Sequence, residues 1–276
     1  MTPSVLEELF SLKDKVVVIT GAGGSLAGEM AEVTARCGAK VVLLDINQKA
    51  VIGRVVNLTG LDCEAIALEC DVLSKDSMEK CCDQIIEHFG KIDCLINGAG
   101  GNKKEATTSD ELSFFDMSAD ANKWVFDLNF MGTLLPCQVF GKEMVRQSSG
   151  SIVNIASIAG FRPLTRAAAY AAAKAAIINF TKWLAVHMCQ NYSSKVRVNA
   201  IAPGFCATEQ NKYLLYATDG QLTERGKKIL DSVPQNRFGQ PSELVSAAIW
   251  LLSDSASFVN GSVVTIDGGF DAFSGV

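Results

Sequence analysis

At 276 residues, 48% hydrophobic and 20% charged, the chain is long enough to bury a sizeable core without disulfides or metals. Its formal net charge of -5 argues against non-specific binding to nucleic acid or to an anionic membrane, both of which want a basic surface. No run of about 18 uncharged apolar residues occurs, so no membrane span is expected.

The opening stretch MTPSVLEELFSLKDK mixes acids with lysines and shows no secretory pattern. The nine cysteines are scattered; none forms C-x-x-C or takes metal-ligand spacing with a histidine. The expectation is a cytoplasmic protein with reduced thiols, mostly small core residues, and no bound metal.

Strands are predicted at residues 16–20 (VVVIT), 40–45 (KVVLLD), 65–70 (AIALEC), 92–97 (IDCLIN), 151–156 (SIVNIA), 196–201 (VRVNAI) and 263–266 (VVTI). Helices are predicted between them at 26–37, 48–58, 75–89, 119–147, 166–191 and 242–252. Strands that are apolar throughout, alternating with helices, read as a parallel sheet covered on both faces. The expected fold class is α/β, a single doubly wound domain over residues 1–276 with a seven-stranded parallel sheet. Two segments break the rhythm, 101–118 and the polar, partly helical stretch 205–239. Both follow strands at the carboxyl edge where such sheets bind ligands, and 205–239 is expected to be a lid over a substrate.

The first strand runs into Thr20-Gly21-Ala22-Gly23-Gly24-Ser25-Leu26-Ala27-Gly28 and then a helix. Glycines let the backbone approach a ligand closely, and the helix N-terminus offers free N–H groups to a pyrophosphate. Gly21, Gly23, Gly24, Ser25 and Leu26 are therefore candidate cofactor contacts. Asp45 ends the second strand, where a carboxylate can accept from both ribose hydroxyls and would repel a 2′-phosphate; Ile46 and Asn47 follow it and no Arg does. The cofactor expected is NAD rather than NADP. Asp45 could also simply cap the next helix.

Tyr170 and Lys174 are four apart in a helical stretch of alanines and so share a face. An adjacent ammonium favours phenolate and suits a tyrosine to proton transfer. Ser157, thirteen residues before Tyr170, follows the fifth strand. Asn129 stands inside a long helical pattern, an unfavourable place for Asn unless its amide is used. A solvated helix face, a turn serine and a tolerated helical asparagine are the plainer readings of these residues.

Taken in order, these residues resemble the short-chain dehydrogenase/reductase family over essentially the whole length. Asn129, Ser157, Tyr170 and Lys174 match its tetrad. Asp71-Val72 resembles its adenine-contacting pair and Asn97-Gly98-Ala99-Gly100 its N-[NG]-A-G motif. Asn199 and Pro203-Gly204 with Thr208 resemble the stretch at the nicotinamide end. Asp267-Gly268-Gly269 matches the usual C-terminal D-G-G. The glycine turn departs from T-G-x-x-x-G-x-G: its second and third glycine positions hold Ser25 and Ala27.

The resemblance implies an oxidoreductase interconverting a secondary alcohol and a ketone. Tyr170 would move the proton, Ser157 steady the oxygen, Lys174 bind the nicotinamide ribose and Asn129 hold a water. It also implies a homotetramer, or a homodimer, paired through the long helices. Phe205 to Asn211, Leu214-Leu215, Asp219-Gly220, Thr223, Arg225, Arg237-Phe238-Gly239 and the C-terminal residues to Val276 are similar to the sugar-acid branch, the D-mannonate oxidoreductases (fructuronate reductases). A carboxylate substrate wants Arg or Lys, and Arg162, Lys103, Lys104, Lys212 and Arg225 are available; Gln210 and Asn211 are candidates for sugar hydroxyls. A 3-oxoacyl thioester reductase shares every core motif. A sensor of NAD(H) without turnover, or a structural subunit, are the readings outside catalysis.

Overall fold

The computed structural model describes residues 4–208 and 211–275. Glu209, Gln210 and Val276, which belong to the sugar-acid resemblance, lie outside the described residues. Seven strands form one all-parallel sheet: β1 Val16–Thr20, β2 Lys40–Asp45, β3 Ala65–Glu69, β4 Cys94–Asn97, β5 Gly150–Ile155, β6 Val196–Pro203 and β7 Val263–Ile266. Their order is β3-β2-β1-β4-β5-β6-β7. The chain winds outward from β1 in one direction and then returns to continue from β4 in the other. Such a reversal between β1 and β4 opens a crevice at the carboxyl ends of those strands.

The helices are α1 Val5–Phe10, α2 Ser25–Arg36, α3 Gln48–Thr59, α4 Lys75–Phe89, α5 Ala119–Phe126, α6 Gly132–Arg146, α7 Ala168–Asn191, α8 Lys212–Leu215, α9 Glu224–Asp231 and α10 Val245–Leu252. Strand alternation assigns the two faces. Val17 and Ile19 pack with Met30 of α2 and Ile249 and Leu252 of α10. Val16 and Val18 pack with Met78 and Ile85 of α4, Phe140 and Met144 of α6, and Leu184 and Met188 of α7. All five β1 residues are fully buried. Each such aliphatic side chain contributes about 1.5–3 kcal/mol, so the central strand anchors both layers.

Two helices differ from their sequence expectation. The continuous helix expected over 119–147 is interrupted by a π turn, Asp127–Met131, with Asn129 at its middle. The Asn129 amide donates to the Val125 carbonyl four residues back, at 2.8 Å, and to the Gly101 carbonyl at 2.7 Å. A side chain thus takes a carbonyl that a backbone N–H would otherwise claim, and the helix widens by a residue. The helix expected from 166 starts at Ala168, because Arg166 is left-handed at φ +79°.

Residues 205–239 are not a bare loop. Leu215, Ile229, Val233 and Phe238 form a small core of their own, against which Phe205, Tyr216 and Phe270 pack. α9 is the most sharply amphipathic helix here, and its N-cap Thr223 accepts from Gly226 N–H at 2.9 Å. All nine cysteines are free thiols, and Cys70, Cys81, Cys82, Cys94, Cys137 and Cys206 are buried. No described helix is long and apolar enough to cross a membrane.

Candidate active site

The turn after β1 is built around close approaches. Gly21 sits at φ +66°, and a Cβ there would come within 2.7 Å of the Ala99 backbone. Any side chain would be both strained and in collision, so the turn lies directly on the end of β4. Thr20 Oγ1 accepts from Gly98 N–H at 3.2 Å and Ala99 N–H at 3.3 Å, tying the ends of β1 and β4 together.

The departures from the usual glycine spacing have local explanations. Ala27 is buried, and a Cβ on Gly98 would meet the Ala27 methyl at 2.7 Å. The methyl therefore fits because position 98 carries none. Gly28 faces the Arg54 guanidinium, whose Cζ would lie 2.1 Å from an added Cβ. Arg54 ion-pairs with Glu32 at 2.7 Å and donates to the Gly24 carbonyl at 3.2 Å, clamping the outside of the turn.

Asp45 faces the same turn. Its carboxylate accepts from Gly23 N–H at 3.0 Å and from Asn47 N–H at 2.8 Å. Asp45 is not the helix cap, since Asn47 holds the N-cap position of α3; bonded to the Asn47 and Gly23 amides, the carboxylate is fixed beside the glycine turn. Asp71 accepts from Leu73 N–H at 2.9 Å and holds the bend after β3, and Val72 beside it is buried. These groups fit a dinucleotide: a cradle that a Cβ would fill, a helix N-terminus, and a carboxylate held by backbone amides.

The four residues of the expected tetrad gather at the carboxyl edge. Ser157 follows β5 in extended backbone and accepts from Ala159 N–H at 3.2 Å. The short turn after it presses on α7 at Gly160, where a Cβ would meet the Lys174 carbonyl at 2.8 Å. That contact sets Ser157 against Tyr170. Burial pushes the Tyr170 phenol above its ordinary value, and a hydrogen bond with Ser157 pulls the other way. Lys174 is buried, donates to the Ile155 carbonyl at 2.8 Å and has its Nζ 5.5 Å from the centre of the Tyr170 ring. Burial lowers its ammonium to about 8. Asn129 is fully buried, and a Cβ on Gly100 would lie 2.7 Å from its Oδ1 and 3.5 Å from Lys174 Nζ. Gly100 is therefore the gap through which Asn129 and Lys174 come close.

Asn97 plays a different part. Fully within the sheet, it donates to Asn154 at 2.8 Å, and Asn154 donates in turn to Thr181 of α7 at 2.9 Å. This buried chain ties β4 and β5 to the helix that carries Tyr170. Asn199 likewise ties β6 to the 259–262 loop, through Val259 and Ser262. Pro203 ends β6, and Gly204 abuts Asp267, where a Cβ would come within 2.6 Å.

Several expectations for the substrate end are corrected. Asn211, expected to face sugar hydroxyls, spends its amide on Thr208 N–H at 2.9 Å and on the Cys206 carbonyl at 2.8 Å, where it shapes the turn holding Thr208. Arg162 is committed to the C-terminal tail: it ion-pairs with Asp271 at 3.0 Å and donates to the Asp271 and Phe273 carbonyls. Lys103 lies 3.8 Å over the Trp124 ring. Burial raises the Cys206 thiol to about 11, so it is a packing residue. A cleft of about 570 Å³ lined by Thr108, Phe114, Met117, Phe161, Leu164 and Arg166 adjoins the first turn of α7. Ser157, Tyr170 and Lys174 do not line it; it lies beside the reactive groups. Arg166 escaped the sequence reading, although an arginine four residues before a candidate proton donor was visible there.

Comparison with known proteins agrees with this geometry. The profile of a family described as Enoyl-(Acyl carrier protein) reductase matches residues 21–271. An uncharacterized oxidoreductase of Haemophilus influenzae is 44% identical, covering 96% of each chain. A crystal structure provisionally named a D-mannonate oxidoreductase from Haemophilus influenza, with bound NAD, superposes at a TM-score of 0.93. It is 41% identical, covering 98% of this chain and 100% of that one. A second, provisionally named an NAD(P)-dependent gluconate 5-dehydrogenase from Beutenbergia cavernae, holds NADP at low occupancy. Its TM-score is 0.84 at 30% identity, covering 96% of this chain and 100% of that one.

Proposed function

The chain belongs to the short-chain dehydrogenase/reductase family of NAD(P)-dependent oxidoreductases, and on that premise we propose that it reduces the ketone of a sugar acid with NADH. D-fructuronate, giving D-mannonate, is the substrate pair proposed. The observation that carries the chemistry is one constellation at the carboxyl edge: Ser157 after β5, Tyr170 on α7, and the buried Lys174 whose Nζ is held by the Ile155 carbonyl and lies 5.5 Å from the centre of the Tyr170 ring. When bound, the nicotinamide supplies the hydride for reduction, or accepts it in the reverse direction.

The chain's own residues supply the rest. Tyr170 donates its phenolic proton to the carbonyl oxygen as negative charge develops there. Ser157 donates a hydrogen bond to the same oxygen, stabilising it where water is excluded. Lys174 stabilises the phenolate left on Tyr170 and binds the nicotinamide ribose. Asn129, fully buried in a helix opened by the π turn, would hold a water that links Lys174 to solvent. Gly21, Gly23, Gly24, Ser25 and Leu26 would receive the pyrophosphate, Asp45 the adenosine ribose, and Asp71 and Val72 the adenine. Asn97, Gly98, Ala99 and Gly100 would border the cofactor, and Pro203, Gly204 and Thr208 its nicotinamide end. The Asp45 carboxylate beside Gly23 supports NADH over NADPH.

The sugar-acid reading draws on the names of two structural neighbours and on the polar composition of residues 205–239, proposed to close over the substrate. The apolar lining of the neighbouring cleft supports a second reading, a 3-oxoacyl thioester reductase. The test is NADH oxidation by the purified protein with D-fructuronate, with other keto-acids of sugars and with a 3-oxoacyl thioester, side by side. Turnover of D-fructuronate at the highest kcat/KM is the expected result; preference for the thioester would overturn it.

A further inference from the structure

Gly28 carries no side chain for a reason outside its own helix. A Cβ at that position would meet Cζ, Nη2 and Nε of Arg54 at once. The guanidinium, borne by α3, therefore lies in the notch that the missing side chain leaves on α2. The Arg54 side chain is only 24% exposed there. Nη1 pairs with the Glu32 carboxylate at 2.7 Å, and Nη2 donates to the Gly24 carbonyl at 3.2 Å. Gly24, Gly28 and Glu32 are spaced four apart, so all three contacts fall along one side of α2. An acid at one end, a carbonyl at the other and an open notch between them hold one planar group.

What this clamp fixes is a peptide unit. The Gly24 carbonyl and the Ser25 N–H belong to the same peptide bond, which is planar and trans. The two groups therefore point in opposite directions. Holding the carbonyl on Arg54 turns the Ser25 N–H away from it, toward the N-terminal end of α2. Ser25 is the first residue of that helix, where no preceding turn claims the N–H. The same carbonyl also accepts from Gly28 N–H at 3.0 Å. Two donors on one carbonyl polarise the peptide and strengthen the N–H across it as a donor.

Ser25 and Ala27 stand where the family's turn has glycines, so the backbone has less freedom to settle around a pyrophosphate after it arrives. An N–H aimed beforehand avoids that ordering cost at binding. We propose that Arg54 is a positioning residue for the cofactor: seated on Gly28 and braced by Glu32, it aims the Ser25 N–H at the pyrophosphate. Arg54 acts through the peptide and not through its charge, which Glu32 meets. The assignment rests on reading the glycine turn as the dinucleotide site and is independent of the substrate. Its consequence is selective. Phosphate-bearing ligands depend on Arg54, whereas adenosine, received at Asp45, Asp71 and Val72, does not.

The test is binding to the purified protein, without turnover. NADH is titrated by fluorescence, ADP-ribose by calorimetry, and adenosine by its displacement of NADH. The proteins are wild type, Arg54→Met, Arg54→Lys, Glu32→Gln, Gly28→Ala, the double variant Gly28→Ala/Arg54→Met and the control Arg36→Ala, an exposed arginine in the last turn of α2. Arg54→Met keeps an apolar stem over the notch and removes the donors. Its Kd for NADH and for ADP-ribose should rise about 5- to 10-fold, the worth of one aimed hydrogen bond, while that for adenosine stays within about twofold. Arg54→Lys should recover only part of the loss, since one ammonium cannot bridge Glu32 and Gly24 as a fork does. Glu32→Gln loosens the brace and should weaken NADH about two- to fivefold. Gly28→Ala should cost as much as Arg54→Met, and the double variant little more than either. Arg36→Ala should match wild type. Urea midpoints of the ligand-free proteins check folding; should Gly28→Ala not fold, Arg54→Met and Glu32→Gln carry the test.

NADH binding unchanged in Arg54→Met would overturn the clamp and leave the dinucleotide reading standing. Equal losses for adenosine and ADP-ribose would also overturn it, marking a general structural role. Tighter NADH binding by Glu32→Gln would show that Arg54 acts by its charge, contrary to the proposal. A wild-type protein that binds neither NADH nor ADP-ribose would remove the dinucleotide reading and the clamp together.

Discussion

Gly98→Ala tests the packing that replaces the usual glycine turn. An added Cβ would lie 2.7 Å from the Ala27 methyl and 2.8 Å from the Thr20 carbonyl, both well inside van der Waals contact. Ala27 is buried against the sheet and the Thr20 carbonyl is backbone, so neither moves aside freely. Overpacking of this sort typically costs about 1–3 kcal/mol. In an Ala27→Gly background one of the two collisions disappears and the other remains. Gly98→Ala should therefore cost about 1 kcal/mol less there than in wild type, even though Ala27→Gly alone weakens α2 by about 1 kcal/mol. Urea unfolding of the four proteins of this cycle, with and without NADH, measures the coupling. Costs that add to within about 0.5 kcal/mol would show that Ala27 and Gly98 do not share one space, and the explanation of the altered turn would be wrong.

Lys174 makes the cofactor-free protein's stability depend on pH. Burial lowers its ammonium to about 8 in the folded state, against an ordinary value of 10.5. Below about pH 8 folding carries the full penalty of burying the charge, about 3 kcal/mol at one pH unit per 1.36 kcal/mol. Between about 8 and 10.5 the unfolded chain binds more protons, so stability rises with pH through this group. Urea midpoints across that window should show the rise in wild type and lose it in Lys174→Met. Ser157→Ala removes the hydrogen bond that lowers Tyr170, so the acid limb of the alcohol-oxidation pH profile should move to higher pH. Its kcat should fall about 100- to 1,000-fold, as when one oxyanion donor is removed. Asp45→Ser removes a carboxylate that would repel a 2′-phosphate. The KM for NADH should rise about tenfold and that for NADPH should fall, read in parallel initial-rate assays with both cofactors; an unchanged ratio would count against the ribose assignment.

The sheet was legible in the sequence because parallel strands buried on both faces are apolar throughout. All seven strands fall within two residues of their expected ends; β4 begins at Cys94 because Ile92 and Asp93 lead into it as loop, and β6 runs on to Pro203. Asn129, Ser157, Tyr170 and Lys174 were named from the family resemblance, and the fold gathers them at the carboxyl edge of the sheet. What escaped is non-local or is set by side chains bending the backbone. The break in the 119–147 helix depends on the Asn129 amide reaching Gly101, nearly thirty residues earlier. The engagement of Arg162 depends on a carboxylate at Asp271, at the far end of the chain. Gly28 reads as spare flexibility until Arg54 is seen lying against it. Arg166 was passed over because nothing in its neighbours' identities announces a left-handed arginine. The short helices α8 and α9 lie in polar sequence, where only α9's amphipathic face and the Thr223 cap offered a local signal.

The most direct test of the central claim is kcat/KM for D-fructuronate with NADH in wild type and in Tyr170→Phe. The expected result is turnover in wild type and a loss of about 100- to 10,000-fold in Tyr170→Phe, with NADH affinity preserved. Turnover equal in the two proteins would contradict proton transfer by Tyr170. An inactive wild type that still binds NADH would contradict the substrate.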